Sequence, residues 1–339
     1  MTPHCALLID TAQALMAPGK GILAMDESLG TCNRRFAQVG IEQTEENRRR
    51  YRELLVTTPG LFAHISGAIL FEETLYQRTR DAVPFVDVLQ TAGVLVGIKV
   101  DAGAQPLAGF PGEKITEGLD GLRERLTQYA GQGARFAKWR AVLNITEQLP
   151  SRFAIQANAQ ALARYAALCQ EAGIVPIVEP EILMDGDHSL ARCQAVTTEV
   201  LDQVFEQLHQ HRIVLEGMIL KPNMVLAGET NREALSLDAV AQATVACFRR
   251  KVPAAVAGIA FLSGGQSSAL ATAHLNAMHQ GAPLPWPLTF SYGRGLQDDA
   301  LHLWAGDDAN RSSAQQALLR RARCNGAAAL GDYDDSMED

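Results

Sequence analysis

The sequence is poor in the features that mark several large classes of protein. Its 339 residues contain only six cysteines, Cys5, Cys32, Cys169, Cys193, Cys247 and Cys324, scattered without a C-x-x-C pair. That usage argues against a disulfide framework and for reduced thiols in a cytoplasm. No basic-then-apolar leader opens the chain and no run approaches the ~18 apolar residues of a spanning helix, so neither export nor membrane insertion is expected. Basic residues are outnumbered, 30 against 38 acidic, and the net charge of −8 argues against nucleic acid or an anionic membrane as the main partner. Any anion site must therefore be local. Of eight histidines only His209 and His211 lie close together, and residues two apart on a helix do not share a face, so no metal site is expected. There is also no Pro/Gly/Ser-rich linker, composition shift or low-complexity block to divide the chain.

What is present is a large apolar content, 47%, arranged in a recurring unit. A short apolar run follows a glycine or small polar turn, and a longer segment of helical periodicity follows the run. Eight runs can be counted: "GILAMD" from Gly21, "GAILFE" from Gly67, "VLVGIKVD" from Val94, "ARFAKWR" from Ala134, "IVPIVEPE" from Ile174, "MILKP" from Met218, "AGIAFLSGG" from Ala257 and "LTFSYGR" from Leu288. Between the fourth and fifth, "NAQALARYAALCQEAG" repeats Leu162, Tyr165, Ala166 and Cys169 at helical spacing before Gly173 stops the helix. Strand, helix and strand in that order imply parallel pairing with right-handed crossovers. Eight units in a chain longer than the ~250 residues of a typical (β/α)8 barrel make that α/β barrel the expected fold, with a doubly wound open sheet as the alternative. Residues 1–331 are expected to form a single domain with a helical lead-in before Pro18. Residues 332–339, in the acidic "GDYDDSMED" terminus, are expected to form a flexible tail.

The carboxyl ends of the eight runs carry the chemistry. They present, in order, Asp26; Glu72; Lys99 with Asp101; Lys138 and Arg140; Glu179 and Glu181; Lys221; Ser263 with Gly264 and Gly265; and Ser291 with Gly293 and Arg294. In a barrel these ends converge on one mouth, where active sites are built. Lys221 ends the run Met218, Ile219, Leu220 and is followed by Pro222, which offers no N–H to a further ladder bond. A single lysine in such a place ordinarily snorkels to solvent, but charged or hydrogen-bonding groups at all eight ends are not an ordinary solvated rim. Residues two apart on a strand share a face, so Lys138 with Arg140 and Glu179 with Glu181 should point into the barrel, where charges need partners.

Lysines of this kind suit amine catalysis. A neutral amine attacks a ketone and forms an iminium, which accepts the electrons of a breaking carbon–carbon bond. Burial and a neighbouring cation favour the neutral form of an amine, and Lys138 is the candidate neighbour for Lys221. Glu179, Glu181 and Asp26 are placed to move protons. The glycines of "LSGGQSS" and "FSYGR" would let backbone amides approach a phosphate, with Arg294 beside them, and Lys99 and Ser28 could hold a second anion. "SGG" alone is more often an ordinary turn.

On these residues the chain resembles the class I, Schiff-base fructose-1,6-bisphosphate aldolases from about residue 5 to residue 325. The matching runs are "APGKGILAMDES", "GIKVD", "FAKWR", "GIVPIVEPEIL", "LKPNM", "FLSGGQS" and "LTFSYGR". The resemblance implies reversible cleavage of fructose 1,6-bisphosphate without a cofactor, in glycolysis and gluconeogenesis. It implies Lys221 as the imine lysine, Lys138 as the second catalytic lysine, Glu179 as acid and base, and Asp26 as the assisting aspartate. It also implies Ser263, Gly264, Gly293 and Arg294 at the phosphate near the imine, and Ser28, Thr31 and Lys99 at the distal one. Arg140 would stand beside the fourth-strand lysine, with Ser291 a hydroxyl near the site and a homo-oligomer, commonly a tetramer, as the assembly. A different Schiff-base sugar-phosphate lyase and a non-enzymatic binding role on the same scaffold are the competing readings. Retention of Lys221, Lys138, Glu179 and Asp26 speaks against the second, and provision for two phosphates against the first. One departure stands out. Well-known animal members end in a tyrosine that assists proton exchange on the enamine, whereas this chain ends in Asp339 with Tyr333 the only tyrosine of its tail.

Overall fold

The computed structural model of the chain describes residues 4–338. Eight strands close into a parallel barrel: β1 (Gly21–Met25), β2 (Ile65–Leu70), β3 (Leu95–Lys99), β6 (Phe136–Leu143), β7 (Val175–Ile182), β8 (Ile219–Leu220), β9 (Ile259–Phe261) and β10 (Leu288–Tyr292). Each coincides with one of the eight apolar runs, which the open-sheet alternative would not have closed. The barrel order β1-β10-β9-β8-β7-β6-β3-β2 follows the chain around the ring. One hairpin had no signal in the apolar pattern. Strands β4 (Gly103–Pro106) and β5 (Lys114–Glu117) pair antiparallel after β3, and of the residues in the two strands only Thr116 is buried.

Two apolar layers hold the barrel. The outer layer lies between strands and helices, and includes Leu162, Tyr165, Ala166 and Cys169 of helix α7 (Arg152–Glu171), the residues whose spacing marked it as a helix. The inner layer is smaller. Ile22, Ala24, Ile69, Phe136, Val175, Ile177, Ile219 and Ala260 point into the barrel, and Leu8, Ala12 and Leu15 of helix α1 (Cys5–Leu15) with Met16 close its lower end. Phe136 occupies so much of the interior that the facing positions must be bare: a Cβ on Gly97 would stand 2.2 Å from its ring. The lead-in helix is thus the floor of the barrel, and everything above the inner layer is left for polar groups.

The acidic tail makes specific contacts with the barrel's last helix. The described residues of 332–339, which exclude residue 339, fold back on helix α12 (Arg311–Ala328) and end in a 3₁₀ turn, Asp335–Glu338. Arg321, 5% exposed, donates both Nη atoms to the Glu338 carboxylate at 2.7 and 2.6 Å, and the Tyr333 hydroxyl donates to the same carboxylate at 2.9 Å. The cause is a buried guanidinium that needs a counter-ion. Composition cannot reveal it because the partner lies 17 residues away.

Candidate active site

On four strands an apolar residue of the inner layer is followed two positions later by a polar one, on the same face and nearer the carboxyl end. Ala24 is followed by Asp26, Phe136 by Lys138 and then Arg140, Ile177 by Glu179 and Glu181, and Ile219 by Lys221. Alternation therefore turns an apolar plug into a charged mouth within two residues of strand. Asp26, Lys138, Glu179 and Lys221 are all buried, at 7, 5, 3 and 4% exposure.

These four charges form a continuous chain. Lys221 Nζ lies 3.2 Å from Glu179 Oε1, Glu179 Oε2 lies 3.4 Å from Lys138 Nζ, and Lys138 Nζ lies 2.7 Å from Asp26 Oδ2. The central 3.4 Å contact is an ion pair without hydrogen-bond alignment, which leaves Glu179 Oε2 with a free lone pair. Burial alone would depress the Lys138 ammonium, but the carboxylates of Asp26, Glu179 and Asp101 outweigh it and hold Lys138 well above the ordinary lysine range. Burial likewise works to raise Asp26, and Lys138 and Lys221 overcome it, so the Asp26 carboxyl stays below its usual range and ionised. Lys138 and Asp26 are a fixed pair of opposite charges.

A cavity of about 1700 Å³ opens above them, lined by Asp26, Lys138, Glu179 and Lys221 together with Ser28, Thr31, Lys99, Arg140 and Glu181. Ser263, Gly264, Ser291, Gly293 and Arg294 line it as well. Fourteen of the fifteen residues expected from the sequence thus meet in one space; Gly265 does not line it. It nonetheless shapes the turn: Gly264 and Gly265 both adopt positive φ, 63° and 89°, in a β-turn closed by the Gln266 N–H donating to the Ser263 carbonyl at 3.2 Å.

The two rims of the cavity that the sequence marked for anions differ. On one, Ser28 caps helix α2 (Leu29–Gln38) by accepting from Thr31 N at 3.4 Å, and its hydroxyl donates to Thr31 Oγ1 at 3.2 Å. Lys99 is tethered close by, donating to the Asp101 carboxylate at 2.6 Å and its carbonyl at 2.7 Å. On the other, exposed Arg294 opens helix α11 (Arg294–Trp304), and the Ser291 hydroxyl, 1% exposed, has no hydrogen-bond partner among the described residues. Helix N-termini with unspent N–H groups favour anions at both rims. Arg140 is engaged by Glu181, which holds its guanidinium above the ordinary range despite burial.

Some supporting residues had no signal in the sequence. Glu27, between Asp26 and Ser28, is gripped by Arg35 and by Arg52, whose Nη1 stands 2.7 Å from its Oε2. Gln297 donates to the Ala24 carbonyl at 2.6 Å and accepts from Tyr51. These contacts fix the last residues of β1. They join helices far apart in the chain, so only the folded structure brings them together.

A closed parallel barrel with amines and carboxylates interleaved at its carboxyl-end mouth is the architecture of an enzyme that works on carbonyl compounds through lysine. The comparisons specify it. The family model for class-I fructose-bisphosphate aldolase matches residues 7–339. A probable class 1 fructose-bisphosphate aldolase of Xanthomonas axonopodis pv. citri is 58% identical over 327 residues, covering 96% of this chain and 98% of its own. Human fructose-bisphosphate aldolase C is 53% identical over 334 residues, 98% of this chain and 92% of its own. The aldolase of Plasmodium falciparum, solved with TRAP and a small-molecule inhibitor, superposes with a TM-score of 0.97 at 47% identity, over 98% of this chain and 97% of its own. The chain belongs to the class-I fructose-bisphosphate aldolase family. Its reaction is the reversible aldol cleavage of fructose 1,6-bisphosphate through a lysine Schiff base, a step of glycolysis, and its substrates are sugar phosphates.

Proposed function

We propose that Lys221 is the lysine that forms the Schiff base, and that Glu179, Lys138 and Asp26 serve it. The observation that carries this reading is the charge chain itself, in which Glu179 stands between the two lysines and Asp26 holds the second. Lys138, kept protonated by Asp26 and Glu179, is a poor nucleophile and a good fixed cation. Among the described residues Lys221 has no such tether beyond one 3.2 Å contact to Glu179.

In the reaction, the free amine of Lys221 attacks the ketone carbon, C2, and loss of water leaves an iminium. As the C3–C4 bond breaks, its electron pair moves into the iminium, and Glu179 takes the proton of the C4 hydroxyl. Glyceraldehyde 3-phosphate leaves as the aldehyde. A proton then returns to C3 of the enamine, and water hydrolyses the imine to release dihydroxyacetone phosphate and the Lys221 amine. The iminium is the electron sink, so the scheme calls for neither cofactor nor metal.

Ser263, Gly264, Gly293 and Arg294 hold the phosphate beside the imine, with Gly265 completing their turn and Ser291 nearby. Ser28, Thr31 and Lys99 hold the distal phosphate, for which Lys99 must share or leave Asp101. Arg140 and Glu181 order the sugar between them. Residues 1–331 constitute the catalytic domain, with 332–339 as an appendage. A homo-oligomer, a tetramer by resemblance, fits the apolar surface left by Phe153, 51% exposed and stacked on Phe110. Six unpaired cysteines fit a cytoplasmic location. Borohydride reduction with dihydroxyacetone phosphate, followed by peptide mapping, tests the central assignment: the adduct is expected on Lys221, and an adduct on Lys138 or on no lysine rejects it.

A further inference from the structure

His274 is buried, at 3% exposure on helix α10 (Ser268–His279), and takes no part in the chemistry above. Its Nδ1 lies 2.6 Å from Oε1 of Gln266, which is itself 9% exposed. Gln266 Nε2 in turn donates to the Ser263 carbonyl at 2.9 Å, the same oxygen that accepts from the Gln266 backbone N–H. That second contact decides the amide orientation. With Nε2 and Oε1 exchanged, an oxygen would face the Ser263 carbonyl oxygen, so Oε1 must face the imidazole and Nδ1 must carry the proton. Gln266 Nε2 also lies 3.5 Å from Met224 Sδ, in the segment just after Lys221.

The consequence reaches the site through one peptide plane. In a trans peptide the carbonyl and the following N–H point in opposite directions. Tying the Ser263 carbonyl inward to Gln266 therefore turns the Gly264 N–H the other way. Among the described residues that N–H has no protein acceptor, and Gly264 lines the cavity. We propose that His274 and Gln266 are positioning residues, a buried relay that locks the Ser263–Gly264 peptide so that the Gly264 N–H is presented to the phosphate beside the imine carbon. The relay fixes a donor before substrate arrives, so its effect falls on binding of the phosphate and not on the amine chemistry. This inference rests on the reading that the Ser263 turn holds that phosphate.

The test compares dihydroxyacetone phosphate with dihydroxyacetone, which has the ketone and lacks the phosphate, by borohydride trapping of the imine at graded concentrations. For His274→Ala, half-maximal trapping is expected to need roughly ten-fold more dihydroxyacetone phosphate, while dihydroxyacetone stays within about two-fold of the parent. His274→Asn, whose amide N–H replaces Nδ1–H, should restore the phosphorylated ligand. Gln266→Glu keeps an acceptor for His274 but sets an oxygen against the Ser263 carbonyl, and should behave like His274→Ala; it decides the matter if His274→Ala does not fold. Equal weakening of both ligands, or no change in either, overturns the relay. Arg294→Ala separates the two levels. If it weakens the phosphorylated ligand and the relay variants do not, the relay is wrong and the phosphate reading stands; if none of them does, the phosphate lies elsewhere.

Discussion

Lys221 and Glu179 face each other across neighbouring strands at 3.2 Å, with the second oxygen of Glu179 turned to Lys138. One carboxylate therefore touches the amine proposed to form the imine and the cation proposed to stay charged. Replacing Lys221 by Met should remove the borohydride-trapped adduct and lower turnover by at least about 10³-fold, since the covalent route is lost. Glu179→Gln keeps the amine but not the base, and a loss of roughly 10²- to 10⁴-fold in turnover is expected with the adduct still trapped. An active Lys221→Met variant would reject the assignment.

The Lys138–Asp26 pair makes a prediction about stability. Lys138→Met strands the Asp26 carboxylate in a buried site 7% exposed, and removing one partner of a buried pair typically costs about 3–5 kcal/mol. Denaturant unfolding should show that loss, and Lys138→Met/Asp26→Leu should recover most of it. The pH dependence carries a sign. Asp26 is held below its ordinary 3.8 in the fold, so its contribution is present above that value and is lost as pH falls through the lower, folded one. A Lys138→Met protein as stable as the parent would show that the pair is solvated.

His274 should titrate in the same sense, in a higher pH window. Burial pushes it down to about 4 from an ordinary 6.5, so between those values the unfolded chain binds a proton that the native state refuses. Stability must then fall as pH drops from 6.5 towards 4. His64, His188 and His279, also lowered chiefly by burial, add to the fall in the parent. They cancel in the difference between the parent and His274→Asn. That variant should lose less stability across the window, by an amount on the order of 1–3 kcal/mol, measured as urea midpoints at pH 7 and pH 4.5. Parallel losses in the two proteins would show His274 to be hydrated.

Much of this site was legible because a parallel barrel writes its active site in a regular place. Eight apolar runs marked the strands, and the residue ending each run marked the mouth, so Asp26, Lys138, Glu179 and Lys221 could be read from position and alternation alone. What alternation cannot carry is contact between distant segments. Glu27 reads as one more acid in "MDES", yet its carboxylate is held by Arg35 and Arg52. The β4–β5 hairpin buries little and so leaves no apolar trace. Gln266 and His274 look like a polar residue after a turn and a histidine within a helix; only the fold sets them 2.6 Å apart.

The tail yields the last prediction, because its composition suggested a solvated segment and the structure ties it down. Burial and repulsion from Glu338 and Asp335 keep the Tyr333 phenol protonated, while its hydroxyl is spent on Glu338, which Arg321 already holds by two bonds. A residue so engaged sits on helix α12 and is a poor candidate to exchange a proton with the enamine, which leaves water or a mouth carboxylate such as Glu179 for that step. Deleting residues 332–339 should therefore leave steady-state cleavage of fructose 1,6-bisphosphate within about two-fold of the parent, while the stranded Arg321 costs roughly 1–3 kcal/mol of stability. Tyr333→Phe isolates the hydroxyl and should do less to both. A ten-fold fall in turnover in either variant, with single-turnover cleavage still fast, would mean that Tyr333 leaves its clasp and serves the enamine.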